Sequence, residues 1–156
     1  MKKRNSYTRC IQYLADQLFQ PIVFADAAVF FEPDGFAPTF AKTACWNAQT
    51  LHFCVESLDD FRPDEKAWGA RTESASLAEF QAISSAIQRF PGCQILSDSR
   101  IAIMIARRLF PEEKIDWIPR DVNAIADYLT KRECGTGYIA FNAPLPVRGW
   151  IDLVYE

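Results

Sequence analysis

The ten residues "IVFADAAVFF" at positions 22–31 carry one charge, Asp26, near their centre. A run this rich in Val, Ile and Phe reads as a strand covered on both faces, and that places it in the interior of a sheet. A lone carboxylate in such a strand costs several kcal/mol, on the order of the penalty for an uncompensated buried charge. Either a cation sits beside Asp26 or a bulge takes it out of the core.

The rest of the chain supplies the layers that such a strand needs. Ile11, Leu14 and Leu18 fall on one helical face before Pro21, so a short amphipathic helix precedes the first strand. "EPDG" at 32–35 is a turn, followed by strands predicted at 38–46 and 50–56 to give an antiparallel meander. The polar stretch 57–74 reads as a long loop with a short strand around 67–71. From Ser74 the period changes to helical, with Leu77, Phe80, Ile83, Ile87 and Phe90 forming a stripe that stops at "PG". "CQIL" (93–96) is a strand, "SDS" opens a helix that runs to Leu109, "KIDWIP" (114–119) is a strand, and a last helix spans about Val122 to Arg132. The order β-β-β-α-β-α-β-α predicts an α/β fold: a mixed five-stranded sheet of three antiparallel strands followed by βαβαβ, flanked by helices. Its first strand lies in the middle. The tail 133–156 has Gly, Pro and aromatics with no clear period, and reads as an added edge strand or a segment for binding a protein partner.

Composition narrows the function classes. A net charge of −3 argues against a protein that grips nucleic acid by bulk charge, though not against one that uses a local groove or metal ions. Five cysteines, an odd number without a C-x-x-C pair, read as reduced thiols of a cytoplasmic protein. Gln12, Asp16 and Gln17 interrupt what a signal peptide would need as an apolar core, and no stretch approaches the ~20 apolar residues of a membrane span.

Four carboxylates stand where the elements can bring them together: Asp26 in mid-strand, Glu79 near the start of the long helix, Asp98 between a strand and a helix, and Asp127 in the last helix. If the strands around Asp26 and Asp98 are adjacent and parallel, both acids lie near the carboxyl end of the sheet, where sites of α/β proteins gather. Simpler readings exist for three of them. Glu79 completes "SLAE" with Ser76 as a capping box, and Asp98 is placed to cap a helix. Asp127 points away from Val122, Ile125, Ala126 and Leu129, toward solvent. Asp26 has only the bulge.

"VFADAAVFF", "AEFQAISSAI", "CQILSDSRIAI" and "IDWIPRDVNAIADYLTK" together resemble, in order, the successive motifs of the type 1 ribonuclease H family, in its compact form without a basic protrusion, over about two-thirds of the chain. The resemblance implies a ribonuclease H-like domain at 21–132, with residues 1–20 as an N-terminal helical extension and 133–156 as a C-terminal tail. It also implies an acidic set of Asp26, Glu79, Asp98 and Asp127, catalytic and metal-binding, holding two Mg²⁺ (or Mn²⁺) ions; for Asp127 the resemblance overrides the solvent-facing reading of its helical face. Asp26 would bridge both ions, Asp98 and Glu79 would hold one, and Asp127 would help hold the other. The implied activity is an endonuclease that hydrolyses the RNA strand of RNA–DNA hybrids and leaves 5′-phosphate ends. Two hard cations ~4 Å apart suit that chemistry, activating water and supporting the leaving oxygen.

The sequence departs from the family pattern at particular points. No His precedes the final acid, where Arg120 and Asp121 stand instead, and Ala27-Ala28 replaces the small Gly-Ser-type pair after the first acid. The one histidine, His52, lies on a predicted strand and reads as structural; Trp46 and Trp68 read as packing residues. Of the basic residues, Arg100 and Arg120 are the ones expected near the site to bind substrate. Two other readings of these residues are a non-catalytic ribonuclease H-like module that binds nucleic acid or protein, and a DNA-directed nuclease of the same fold.

Overall fold

The computed structural model describes residues 21–31, 38–58, 70–141 and 151–156. It is an α/β structure. The strands are β1 (Ile22–Phe31), β2 (Pro38–Asn47), β3 (His52–Leu58), β4 (Gln94–Ser97), β5 (Ile115–Trp117), β6 (Gly135–Phe141) and β7 (Ile151–Tyr155). The helices are α1 (Ala70–Arg89), α2 (Arg100–Leu109) and α3 (Ala124–Leu129). All seven strands join one mixed sheet, ordered β5-β4-β1-β2-β3-β6-β7.

β1 is interior, as its composition demands. It pairs antiparallel with β2 along most of its length but parallel with β4 only from Ile22 to Phe24. Alternation divides its side chains between two cores. Ile22 and Phe24 pack with Trp46, Phe53, Leu96, Ile118, Ile125 and Leu129 on the α3 face. Val23 and Ala25 pack with Ile83, Ala86, Ile95, Ala102, Ile103 and Ala106 on the face covered by α1 and α2. Alanines at the helix–sheet contacts let the helices approach closely, while each fully buried Ile, Leu or Phe contributes about 1.5–3 kcal/mol. Trp46 is a core residue, its ring stacked on Phe24 at 5.0 Å.

The structure corrects three expectations. The sheet has seven strands, not five: β6 pairs with the free edge of β3, and β7 then pairs with β6. The period that would have announced these strands is obscured by glycines, of which Gly137 is required because a Cβ there would collide with the backbone of Val154 and Tyr155. The long helix starts at Ala70 rather than Ser74, so the short strand expected at 67–71 is helical at Ala70 and Arg71; the remainder of that loop, with Trp68, lies outside the described residues. Because Ser76 is therefore inside the helix, it cannot form a capping box with Glu79. The helix predicted at 1–20 also lies outside the described residues. Among the described residues, no helix is long and apolar enough to cross a membrane.

Candidate metal centre

Beyond Phe24, β4 no longer pairs with β1: β4 ends at Ser97, while β1 runs on to Phe31 beside β2. From β1 the chain runs outward through β2 and β3 on one side and returns to β4 and β5 on the other, so the strand order reverses between β1 and β4, the usual place for a crevice in an open α/β sheet. Asp26 is the second residue past the last shared rung, and Asp98 is the first residue after β4. From the other side α1 lies against β1 and brings Glu79 to the same place.

One oxygen from each of Asp26, Glu79 and Asp98 lies within 4.8 Å of the others, close enough to ligate a single ion. Asp26 is 4% exposed, and Glu79 Oε2 is buried without a hydrogen-bond partner among the described residues. Burial first, then the neighbouring charge of Asp98, pushes the Asp26 carboxyl well above the ordinary carboxylate range. Burial and the adjacent Asp26 do the same to Glu79, the two carboxyl groups sharing a hydrogen bond. Burial raises Asp98 as well, partly offset by the charge of Arg120 and a hydrogen bond from Asn123. The Ala27 N–H donates to the Asp26–Glu79 pair and is the main-chain support on the β1 side. Three clustered acids with one unpartnered buried oxygen constitute an all-oxygen, anionic donor set, which suits a hard divalent cation such as Mg²⁺, Mn²⁺ or Ca²⁺.

Local structure explains why Asp98 is free for this role. Ser99, not Asp98, caps α2, its hydroxyl accepting from Ala102 N at 3.2 Å. Asp98 can then turn toward β1.

Asp127 stands apart from the three. It is exposed, and Lys131, one turn on, donates to its Oδ1 at 3.0 Å. Its negative charge still reaches the site and raises both Asp26 and Asp98. The helical-face reading of Asp127 as solvent-facing thus matches its position, whereas the family pattern would gather it with the other acids. Arg120 is exposed and close enough for its charge to act on Asp98. Arg100 is exposed too, its guanidinium carbon 3.9 Å from the centre of the Trp117 ring. His52 is at the surface, 4.0 Å from a carboxylate oxygen of Glu156 and on the far side of β2 from the crevice.

Two contributors escaped the sequence reading. Asn123 sits at the N-cap of α3 without capping it. Fully buried, its amide instead donates to Ala25 O at 2.8 Å and hydrogen-bonds the Asp98 carboxylate, tying β1 to the end of β4. An Asn before a helix normally signals a cap, so only tertiary contacts distinguish this role. Trp117 is the other: its indole N–H donates to the main-chain oxygen of Asp98 at 3.2 Å. The chain matches no family model, and no curated protein matches it in sequence.

Proposed function

We propose that the chain is a metal-dependent endonuclease of the ribonuclease H type, which cleaves the RNA strand of RNA–DNA hybrids. The observation that carries this reading is the convergence of Asp26, Glu79 and Asp98 within 4.8 Å, where β4 ends beside the middle of β1. The run β5-β4-β1-β2-β3 within the sheet is in keeping with a ribonuclease H-like core, to which β6 and β7 add. Asp26, Glu79 and Asp98 would hold one Mg²⁺ or Mn²⁺ ion, and Asp127, with Asp26, would support a second. Bound there, the ions would lower the pKa of a water and stabilise charge on the oxygens of the phosphodiester.

The protein's own residues do the positioning. Asn123 fixes the Asp98 carboxylate relative to β1, and the Ala27 N–H orients the acids of the crevice. Arg120 and Arg100 supply the positive charge that an overall acidic protein needs to receive phosphate. Water adds to phosphorus and the bond to O3′ breaks, leaving a 5′-phosphate and a 3′-hydroxyl. A cytoplasmic location accords with this reading and with reduced cysteines, of which Cys45, Cys54, Cys93 and Cys134 are free.

One observation favours a second reading. The Asp127–Lys131 pair leaves the fourth acid already neutralised and outside the cluster, as a non-catalytic, single-ion binding module would allow. A cleavage assay on labelled hybrid, duplex DNA and duplex RNA, with Mg²⁺ and with Mn²⁺, separates these readings. The nuclease reading expects 5′-phosphate fragments from the RNA of the hybrid alone and none from Asp26→Asn. Hybrid left intact with both ions overturns it, and cut DNA redirects it to a DNA-directed nuclease.

A further inference from the structure

On the β5 side of the acidic cluster stands a second arrangement, built from Arg100 and Trp117. Trp117 pairs with Ser97 on the last rung of the parallel β4–β5 ladder, and the Ile118 N–H donates to Ser97 O at 2.9 Å. The ring is therefore held at the carboxyl end of the sheet, one residue away from Asp98. It is 39% exposed, unusual for the bulkiest side chain beside a core, and its N–H is anchored on Asp98 O. The Arg100 guanidinium lies over this ring at 3.9 Å. Arg107 offers a contrast on the same helix: its Nε donates to Ile115 O at 2.9 Å and another nitrogen donates to Asp116 at 3.1 Å, which commits it to the edge strand β5. A guanidinium over a ring face spends none of its N–H donors on that contact.

We propose that Arg100, held in place by Trp117, clamps a backbone phosphate of the nucleic acid next to the one being hydrolysed, an inference that rests on the nuclease reading above. The guanidinium fork matches two phosphate oxygens. Contact with the ring orders the long arginine side chain beforehand, so less rotamer entropy is lost on binding. Trp117 is a positioning residue in this scheme. Because its N–H is fixed to the main chain of Asp98, the clamp and a metal-ligating residue keep a constant separation, which sets the register of the strand across the site.

The test is hybrid binding by fluorescence anisotropy over a range of salt, with Ca²⁺ in place of Mg²⁺ to slow turnover, together with kcat and KM in Mg²⁺. Arg100→Ala is expected to weaken binding about 10-fold and to reduce the slope of log K against log[salt] by about one. Trp117→Ala should raise KM several-fold and should lose part of the slope, whereas Trp117→Phe, which keeps a ring, should retain it. A purely structural Trp117 would change stability without moving the salt slope. If hybrid is cleaved but the slope and KM of Arg100→Ala equal those of the wild type, the clamp is overturned and the nuclease reading stands. If wild-type protein binds hybrid with the Arg100-dependent slope yet cleaves nothing, the clamp stands and the nuclease reading falls.

Discussion

Two carboxylate clusters lie against the same helix and have opposite characters. Toward the end of α1, Glu56 of β3 accepts from Ser85 Oγ at 2.6 Å and from Arg89 Nε at 3.0 Å, with Cys54 Sγ at 3.6 Å. About 9 Å nearer the start, at 1.5 Å per residue, Glu79 meets Asp26 and Asp98. Burial pushes Glu56 upward, but the Ser85 hydroxyl and the Arg89 guanidinium outweigh it and leave its carboxyl below the ordinary value. In the other cluster nothing outweighs burial, so all three acids are raised. A carboxylate that serves the fold is surrounded by donors. One kept for a ligand is left short of them, and the fold bears that cost.

Removing one acid is the strongest way to break the comparison. Asp26→Asn should eliminate divalent-ion binding by calorimetry, yet stabilise the metal-free protein by about 1–3 kcal/mol in urea unfolding, since it removes an uncompensated buried charge. Loss of stability equal to that of a core mutation would mean that Asp26 is structural after all.

Proton linkage should divide the clusters next. Asp26 is raised from 3.8 to about 7, so the folded, metal-free protein binds more protons than the unfolded chain between those values. Its contribution therefore falls as pH rises through that window. Glu56 has the opposite sign: its lowered value gives stability that is present at neutral pH and lost as pH falls through its folded pKa. Melting temperatures taken from pH 4 to 8 without metal should show the decline with rising pH. Saturating Mg²⁺ should abolish it, with about 2.7 kcal/mol of added stability at 100 times Kd.

The smallest effect belongs to the satisfied cluster. Glu56→Gln leaves Arg89 without its ion pair at a half-exposed site, and should cost about 1 kcal/mol, or a few degrees in Tm, with ion affinity unchanged. A change in ion affinity would show that the two clusters communicate along α1.

Much of this arrangement is legible in the chain because local pattern and global fold agree. The run 22–31 has to be an interior strand on composition alone, and the stripe through Ile83 and Ile87 has to be a helix face. The acids Asp26, Glu79 and Asp98 stand out because each interrupts or borders an apolar element. Asp127 shows how far periodicity reaches: its helical face correctly places it in solvent, but nothing local says that Lys131 is its partner.

Other features are decided in three dimensions. β6 and β7 exist because the outer edge of β3 has main-chain groups to pair, and Gly135 and Gly137 remove the side chains that would otherwise declare a strand. Asn123 resembles a helix cap until Ala25 O and Asp98 arrive from segments about 98 and 25 residues earlier in the chain, respectively. The sequence by itself determined which segments are apolar enough to be buried and which acids would be expensive there, because those depend on composition and period. Only the tertiary structure decided which acids lack donors, because a hydrogen bond between distant segments depends on where the backbone brings them.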